Sequence, residues 1–191
     1  MRIAIVTGST RPNRNNIAVA RWVFELAAKR RDAMFELVDI QDYQLPLLDE
    51  PLPPALGRYA HPHTKRWAAR IASFDGYIFV TPEYNHGTSG ALKNAIDYLY
   101  AEWQHKAAGF VAYGGTGGIR AVENLRLVMG NLMVADVTPQ VALSLFTDFE
   151  NFSVFRPDPR HASEVHAMLD QVIAWSRALR TLRSESIAEA A

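Results

Sequence analysis

The chain has 191 residues, with 20 Lys and Arg against 20 Asp and Glu, so it carries no net charge and no basic footprint for nucleic acid. Cys is absent, which excludes disulfide scaffolds, thiolate metal sites and cysteine nucleophiles together. The apolar share of 49% suits a globular domain with a real core, and no run of about 20 apolar residues is present to span a membrane.

Short apolar runs alternate with longer helical patterns. Residues 3–6 read as a buried strand that stops at Thr7-Gly8. That run is too short for a signal-peptide core, and a cytoplasmic location is expected. Residues 17–30 read as a helix, with Ile17, Ala20, Phe24, Ala27 and Ala28 on one face. Residues 35–40 alternate enough for a second strand. Residues 41–59 hold Pro46, Pro51, Pro53, Pro54 and Gly57 and read as a loop. A helix is expected over 64–74, a third strand over 76–80, and a helix over 89–100 that Thr88 or Ser89 caps.

The fourth strand is expected at 107–112 and a helix at 120–133, with Val122, Leu125, Met129, Leu132 and Met133 inward. A fifth strand follows at 140–146 and a loop at 149–156. Asp158-Pro159 forms an N-cap and first-turn pair for a last helix running to about 182. One domain over 1–183 and a disordered tail over 184–191 are expected.

Strand–helix repeats with nearly continuous apolar strands mean a parallel sheet covered on both faces. Five strands in this length suit a flavodoxin-like three-layer α/β/α sandwich with strand order 2-1-3-4-5. Its ligands bind beyond the carboxyl ends of the strands, at the switch point between strands one and three.

Both loops at that switch point are polar. The first runs Gly8-Ser9-Thr10-Arg11-Pro12-Asn13-Arg14-Asn15-Asn16. Ser9 offers a hydroxyl, Arg11 and Arg14 offer charged forks, and Asn15, Asn16 and Ile17 offer N–H groups at a helix start. That set binds a phosphate. The plainer alternative is that an asparagine caps the helix while the arginines are solvated. There is no Walker A motif and no G-x-G-x-x-G fingerprint, so one phosphate fits better than a triphosphate or pyrophosphate.

The second loop is Thr81-Pro82-Glu83-Tyr84-Asn85-His86-Gly87-Thr88-Ser89. Its amides and Tyr84 suit a flat, hydrogen-bonding ring, although Tyr84 could also pack at a subunit surface. His86 reads as a surface hydrogen-bonder before a catalytic acid. After strand four, Tyr113-Gly114-Gly115-Thr116-Gly117-Gly118 either lets backbone approach a ring or makes a tight connection. His61-Pro62-His63 is a weak metal pair, Gly8-Ser9-Thr10 is no serine-hydrolase elbow, and the four tryptophans read as packing or interface groups.

Gly8-Ser9-x-Arg11, with Pro82-Glu83-Tyr84-Asn85 running on through Gly90-Ala91-Leu92-Lys93-Asn94-Ala95-Ile96-Asp97, closely resembles the NADPH-dependent FMN reductase family. The resemblance covers most of residues 1–135. It departs from many relatives at His86-Gly87-Thr88-Ser89, where they carry Gly-Ser-x-Pro.

The resemblance implies non-covalent FMN. Ser9, Arg11, Asn16 and Ile17, with Arg14 as a further donor, would hold its phosphate. Pro82, Glu83, Tyr84 and Asn85 would line the ring and ribityl chain, and Tyr113, Gly114 and Gly115 would complete the ring site. It implies hydride transfer from NADPH or NADH through FMN to a quinone, flavin, azo compound or similar small molecule. No protein nucleophile or metal is needed. It also implies a homodimer or homotetramer built on the helices after Ser89 and Gly118. The competing reading is a flavodoxin-like electron carrier, which the lack of acidic excess argues against.

Overall fold

The computed structural model describes residues 1–189, with side chains through 183. Alternation along the central strands sets the two cores. In β3 (Gly76–Pro82), Tyr77 and Phe79 point to one face of the sheet while Ile78 and Val80 point to the other. In β1 (Arg2–Thr7), Ala4 and Val6 go one way and Ile3 and Ile5 the other. All seven residues of β3 and all eight of β4 (Ala107–Gly114) are buried, as a doubly covered parallel sheet requires.

With β2 (Met34–Val38) and β5 (Ala135–Ser144), the sheet is parallel in the order β2-β1-β3-β4-β5. This is the expected flavodoxin-like architecture. Helices α1 (Asn16–Ala27) and α5 (His161–Glu189) cover one face. Helices α2 (Pro62–Ala72), α3 (Gly90–Asp97) and α4 (Ile119–Asn131) cover the other. There Trp67 and Trp103 are fully buried, and their indole N–H groups donate to Ala95 O (2.8 Å) and Ile96 O (3.1 Å).

Several boundaries and faces differ from expectation. The inward face of α1 is Asn16, Val19, Ala20, Val23 and Ala27, because the two valines fit the sheet. Ile17 and Phe24 are only half-buried and Ala28 is exposed. Strand β2 ends at Val38 because the Asp39 side chain accepts from Gln41 N and starts a 3-10 turn at Ile40–Tyr43. A second 3-10 turn at Pro54–Leu56 interrupts the proline-rich loop. Strand β5 begins at Ala135, earlier than expected. Its Thr138-Pro139 segment lies in a bulge against Ala108 and Phe110, the way an edge strand tolerates proline. Met133 is 47% exposed rather than inward, in a left-handed turn that ends α4. Helix α5 starts at His161, and Asp158 instead makes the turn before it, accepting from Arg160 N and His161 N. Helix α5 runs on to Glu189, past the end expected near 182, and the side chains of the expected tail, 184–191, lie outside the described residues.

The segment expected as a loop at 149–156 is a small hairpin, β6 (Phe149–Glu150) against β7 (Val154–Phe155). Its three-residue turn is Asn151-Phe152-Ser153; the first two have positive φ (49° and 57°), and Ser153 N donates to Glu150 O at 3.1 Å. For a bulky side chain that conformation costs on the order of 1–2 kcal/mol. The base of the hairpin is firm. Phe149 packs on Tyr113 and Phe155, and Phe155 packs on Trp22. Asp148, only 1% exposed, accepts from Ser144 N (2.8 Å), Thr147 Oγ1 (3.1 Å) and Asp158 N (3.0 Å), with His161 Nε2 3.2 Å away. Burial pushes its carboxyl up, but these donors hold it below the usual range.

Lys106 leads into β4 and is only 4% exposed. Its Nζ donates to Ile71 O (3.1 Å) and Ala72 O (3.2 Å), the C-terminal carbonyls of α2, and to Tyr77 Oη (2.9 Å). Burial, then the Arg183 charge, lowers its pKa to about 7. The unfolded chain therefore holds this proton to higher pH than the folded one. Stability should rise as pH climbs from about 7 towards the ordinary lysine value of about 10.4, by up to about 1.4 kcal/mol per unit. Urea denaturation at pH 7, 8.5 and 10 should show this rise, and Lys106→Met should flatten it. Equal slopes in the two proteins would refute the assignment.

Candidate functional site

The first loop leaves β1 at Gly8. Gly8 sits so close to β3 that a Cβ there would lie 2.5 Å from Val80 O. Asn16 fixes this approach. Its side chain is fully buried, with Oδ1 accepting from Gly8 N (2.9 Å) and Nδ2 donating to Val80 O (2.8 Å). Ser89, the N-cap of α3, accepts from Leu92 N as expected and also donates to Gly8 O. Loop one is thus tied to β3 and to the start of α3.

At the start of α1, Asn15 makes no side-chain cap and instead donates to Phe152 O at 2.7 Å. The N–H groups of Asn16 and Ile17 find no acceptor among the described residues, and no acidic residue stands in the first turn. These free donors and the helix dipole favour an anion. Ser9, 1% exposed, stands beside them, with its Oγ accepting from Arg11 N at 3.3 Å. Arg11 is exposed and makes no ion pair among the described residues, so its guanidinium remains for a ligand. Arg14 differs from it. Its guanidinium is engaged with Asp39 and Gln41 beyond β2, although its Nε is buried without a partner.

The second loop turns at once. Tyr84 and Gly87 exchange backbone hydrogen bonds (2.9 and 3.1 Å), and Asn85 and His86 occupy left-handed positions at φ 49° and 73°. Asn85 is therefore first of all a turn residue. Glu83 N donates to Tyr113 O (2.9 Å), joining the ends of β3 and β4. The Glu83 carboxylate accepts from Arg120 N (3.1 Å) and Arg120 Nε (2.6 Å), and Asn124 Nδ2 donates to His86 O (2.9 Å). Helix α4 thereby holds the loop. Tyr84, 36% exposed, brings its Oη within 3.4 Å of Ser9 Oγ and links the two loops.

The third loop is tight for its own reasons. Gly117 and Gly118 have φ of 74° and 73°, and a Cβ on Gly118 would meet Ala112 Cβ at 2.7 Å. Tyr113 is only 6% exposed and its ring joins the core under α1 and α5. Burial, and next the neighbouring Tyr84, pushes its phenol well above the usual value.

These loops enclose a cavity of about 230 Å³ lined by Arg11, Asn15, Pro82, Glu83, Tyr84, Tyr113, Gly114, Leu145 and Phe152. Arg11 and Asn15 are the residues of loop one that reach it. Gly115 lies beside it, where a Cβ would meet only Phe146, at 3.7 Å. The Arg14 guanidinium is engaged with Asp39 and Gln41, and the Asn16 amide with Gly8 N and Val80 O. A cavity of about 370 Å³ on the other flank of loop one, between Thr10, Gln41, Gln44 and Asn94, has no charged lining side chain. An anionic ligand therefore favours the first.

Sequence reasoning missed Arg120, Leu145 and Phe152. The rule that ligands sit beyond strand carboxyl ends applies to β5 as well, and it points to Leu145 and Phe146.

The NADPH-dependent FMN reductase family profile matches residues 1–148, from β1 through the end of β5. The chain belongs to the NADPH-dependent FMN reductase family. It is 44% identical over 138 residues to an NAD(P)H-dependent FMN reductase of Nectria sp., covering 67% of this chain and 69% of that one. It is 36% identical over 159 residues to a quinone reductase of Pseudomonas putida, covering 76% and 81%. Among solved structures, the flavoenzyme NAD(P)H:acceptor oxidoreductase FerB of Paracoccus denitrificans superposes with a TM-score of 0.72 at 23% identity, covering 93% of this chain and 97% of that one. The last similarity concerns the fold.

Proposed function

We propose that the chain is an FMN-dependent NAD(P)H oxidoreductase acting on a quinone, flavin, azo compound or similar small-molecule acceptor. The observation that carries this reading is the set of unpaired donors at the start of α1, beside Ser9 and the free Arg11. Arg11 and Asn15 of this loop line the same cavity as Tyr84, Tyr113 and Gly114. The donor chemistry fits one phosphate with a ring system beside it.

When bound, FMN supplies the redox chemistry, accepting hydride from NADPH or NADH and passing two electrons to the acceptor. The chain's own part is to hold and orient. Ser9, Arg11 and the N–H groups of Asn16 and Ile17 hold the phosphate, while Arg14 adds charge from the flank. Pro82, Glu83, Tyr84 and Asn85 supply one wall of the ring site, and Tyr113, Gly114 and Gly115 the other. The Glu83 carboxylate is committed to Arg120 and serves position, not proton transfer.

No helix among the described residues is long and apolar enough to cross a membrane. A cytoplasmic location and a homodimer or homotetramer belong to the same reading. Exposed Ile119 (45%) and Leu127 (78%) on α4 support association. The reading is tested by steady-state oxidation of each nucleotide by FMN-loaded protein with a naphthoquinone, an azo dye or free flavin. Turnover with at least one acceptor is expected, and none with any would overturn it.

A further inference from the structure

Phe152 is held where the fold gains little from it. Its φ of 57° suits glycine better than phenylalanine, and its side chain is 57% exposed. Phe146, its T-shaped partner at 5.6 Å, is 70% exposed. The hairpin base below is anchored on Trp22, Tyr113 and Asp148, so the rings are carried on a firm mount. The tip is held too, because Asn15 donates to the Phe152 carbonyl from the start of α1. Phe152 lines the same cavity as Tyr84, Tyr113 and Gly114, and Phe146 stands over Gly115. A strained backbone and a ring left in water, both fixed at the mouth of a site, point to a ligand that covers the ring.

We propose that Phe152, backed by Phe146, selects flat aromatic electron acceptors at this site. The proposal rests on the reductase reading above. The ring offers its face or edge to a quinone or azo ring system, while an inorganic acceptor such as ferricyanide gains nothing from it. In the reaction served, NAD(P)H and a solvent proton reduce a quinone to its hydroquinone, and NAD(P)⁺ leaves.

The test uses FMN-loaded wild type, Phe152→Gly and Phe152→Tyr. Without nucleotide, the affinity of the oxidised protein for 1,4-naphthoquinone should fall about fivefold in Phe152→Gly and be retained in Phe152→Tyr. The ratio of kcat/KM for naphthoquinone to that for ferricyanide should fall by about the same factor. The melting point of the FMN-free Phe152→Gly protein should rise by about 2–4 °C as the backbone strain is relieved. Unchanged naphthoquinone affinity, an unchanged acceptor ratio, or a lower melting point from loss of a packing group would each overturn the proposal. Wild type that oxidises neither nucleotide with ferricyanide would instead sink the reductase reading and the proposal with it.

Discussion

Arg11→Ala should weaken FMN binding by about 10- to 100-fold, measured as quenching of flavin fluorescence. A charge-assisted hydrogen bond to a phosphate contributes about 1.5–3 kcal/mol, and every 1.4 kcal/mol is tenfold in affinity. Arg11 makes no ion pair among the described residues, and its backbone N–H donates to Ser9 Oγ near the first turn of α1. The same substitution at Arg14 should weaken binding by no more than about fivefold. Its guanidinium is already paired with Asp39 and Gln41, so it acts on the phosphate only as a screened charge. Folding stability should change little in Arg11→Ala, since an exposed side chain with no partner contributes little. Equal losses at the two arginines would mean that Arg14 leaves Asp39 when ligand binds. No loss at Arg11 would remove the phosphate from this loop.

Asn16→Ala should lower the unfolding free energy by about 2–5 kcal/mol. It strands the Gly8 N–H and the Val80 carbonyl, both buried, at about 1–3 kcal/mol each. The effect should appear in urea denaturation of FMN-free protein, which separates it from ligand binding. FMN affinity should fall as well, because loop one loses the brace that holds it against β3. Asn16→Asp keeps an acceptor for Gly8 N–H but sets a carboxylate against the Val80 carbonyl, so it should not restore stability. If Asn16→Ala is as stable as wild type, the brace is unimportant and the side chain is free to serve a ligand directly.

Much of the fold was legible because it rests on local signals. The apolar runs of β1, β3 and β4 read as doubly covered strands, and the order 2-1-3-4-5 followed from their number and spacing. Thr88 and Ser89 both read as caps because a hydroxyl before a helical pattern accepts from the first turn, and Ser89 is the one that does. What escaped depends on contacts between distant segments. Asn16 and Arg14 looked like neighbours in one phosphate loop. Asn16 is drawn inward to Val80, 64 positions away, and Arg14 sideways to Asp39, 25 positions away. The β6–β7 hairpin was hidden because its turn, Asn151-Phe152-Ser153, lacks the glycine that usually announces one. Lys106 gave no warning either, since only the fold brings the end of α2 and Tyr77 against it. The local structure of residues 81–89 was the most legible part of the candidate site, because proline, a turn-favouring asparagine and a helix cap lie within a few residues of one another.

The most direct test adds FMN to the purified protein, records its absorbance, and then titrates it anaerobically with NADPH and with NADH. The account predicts a bound flavin that at least one nucleotide bleaches in a single two-electron step, and Arg11→Ala protein that needs far more FMN to reach the same state. A protein that takes up no FMN would contradict the site, and a bound flavin that neither nucleotide bleaches would contradict the reductase.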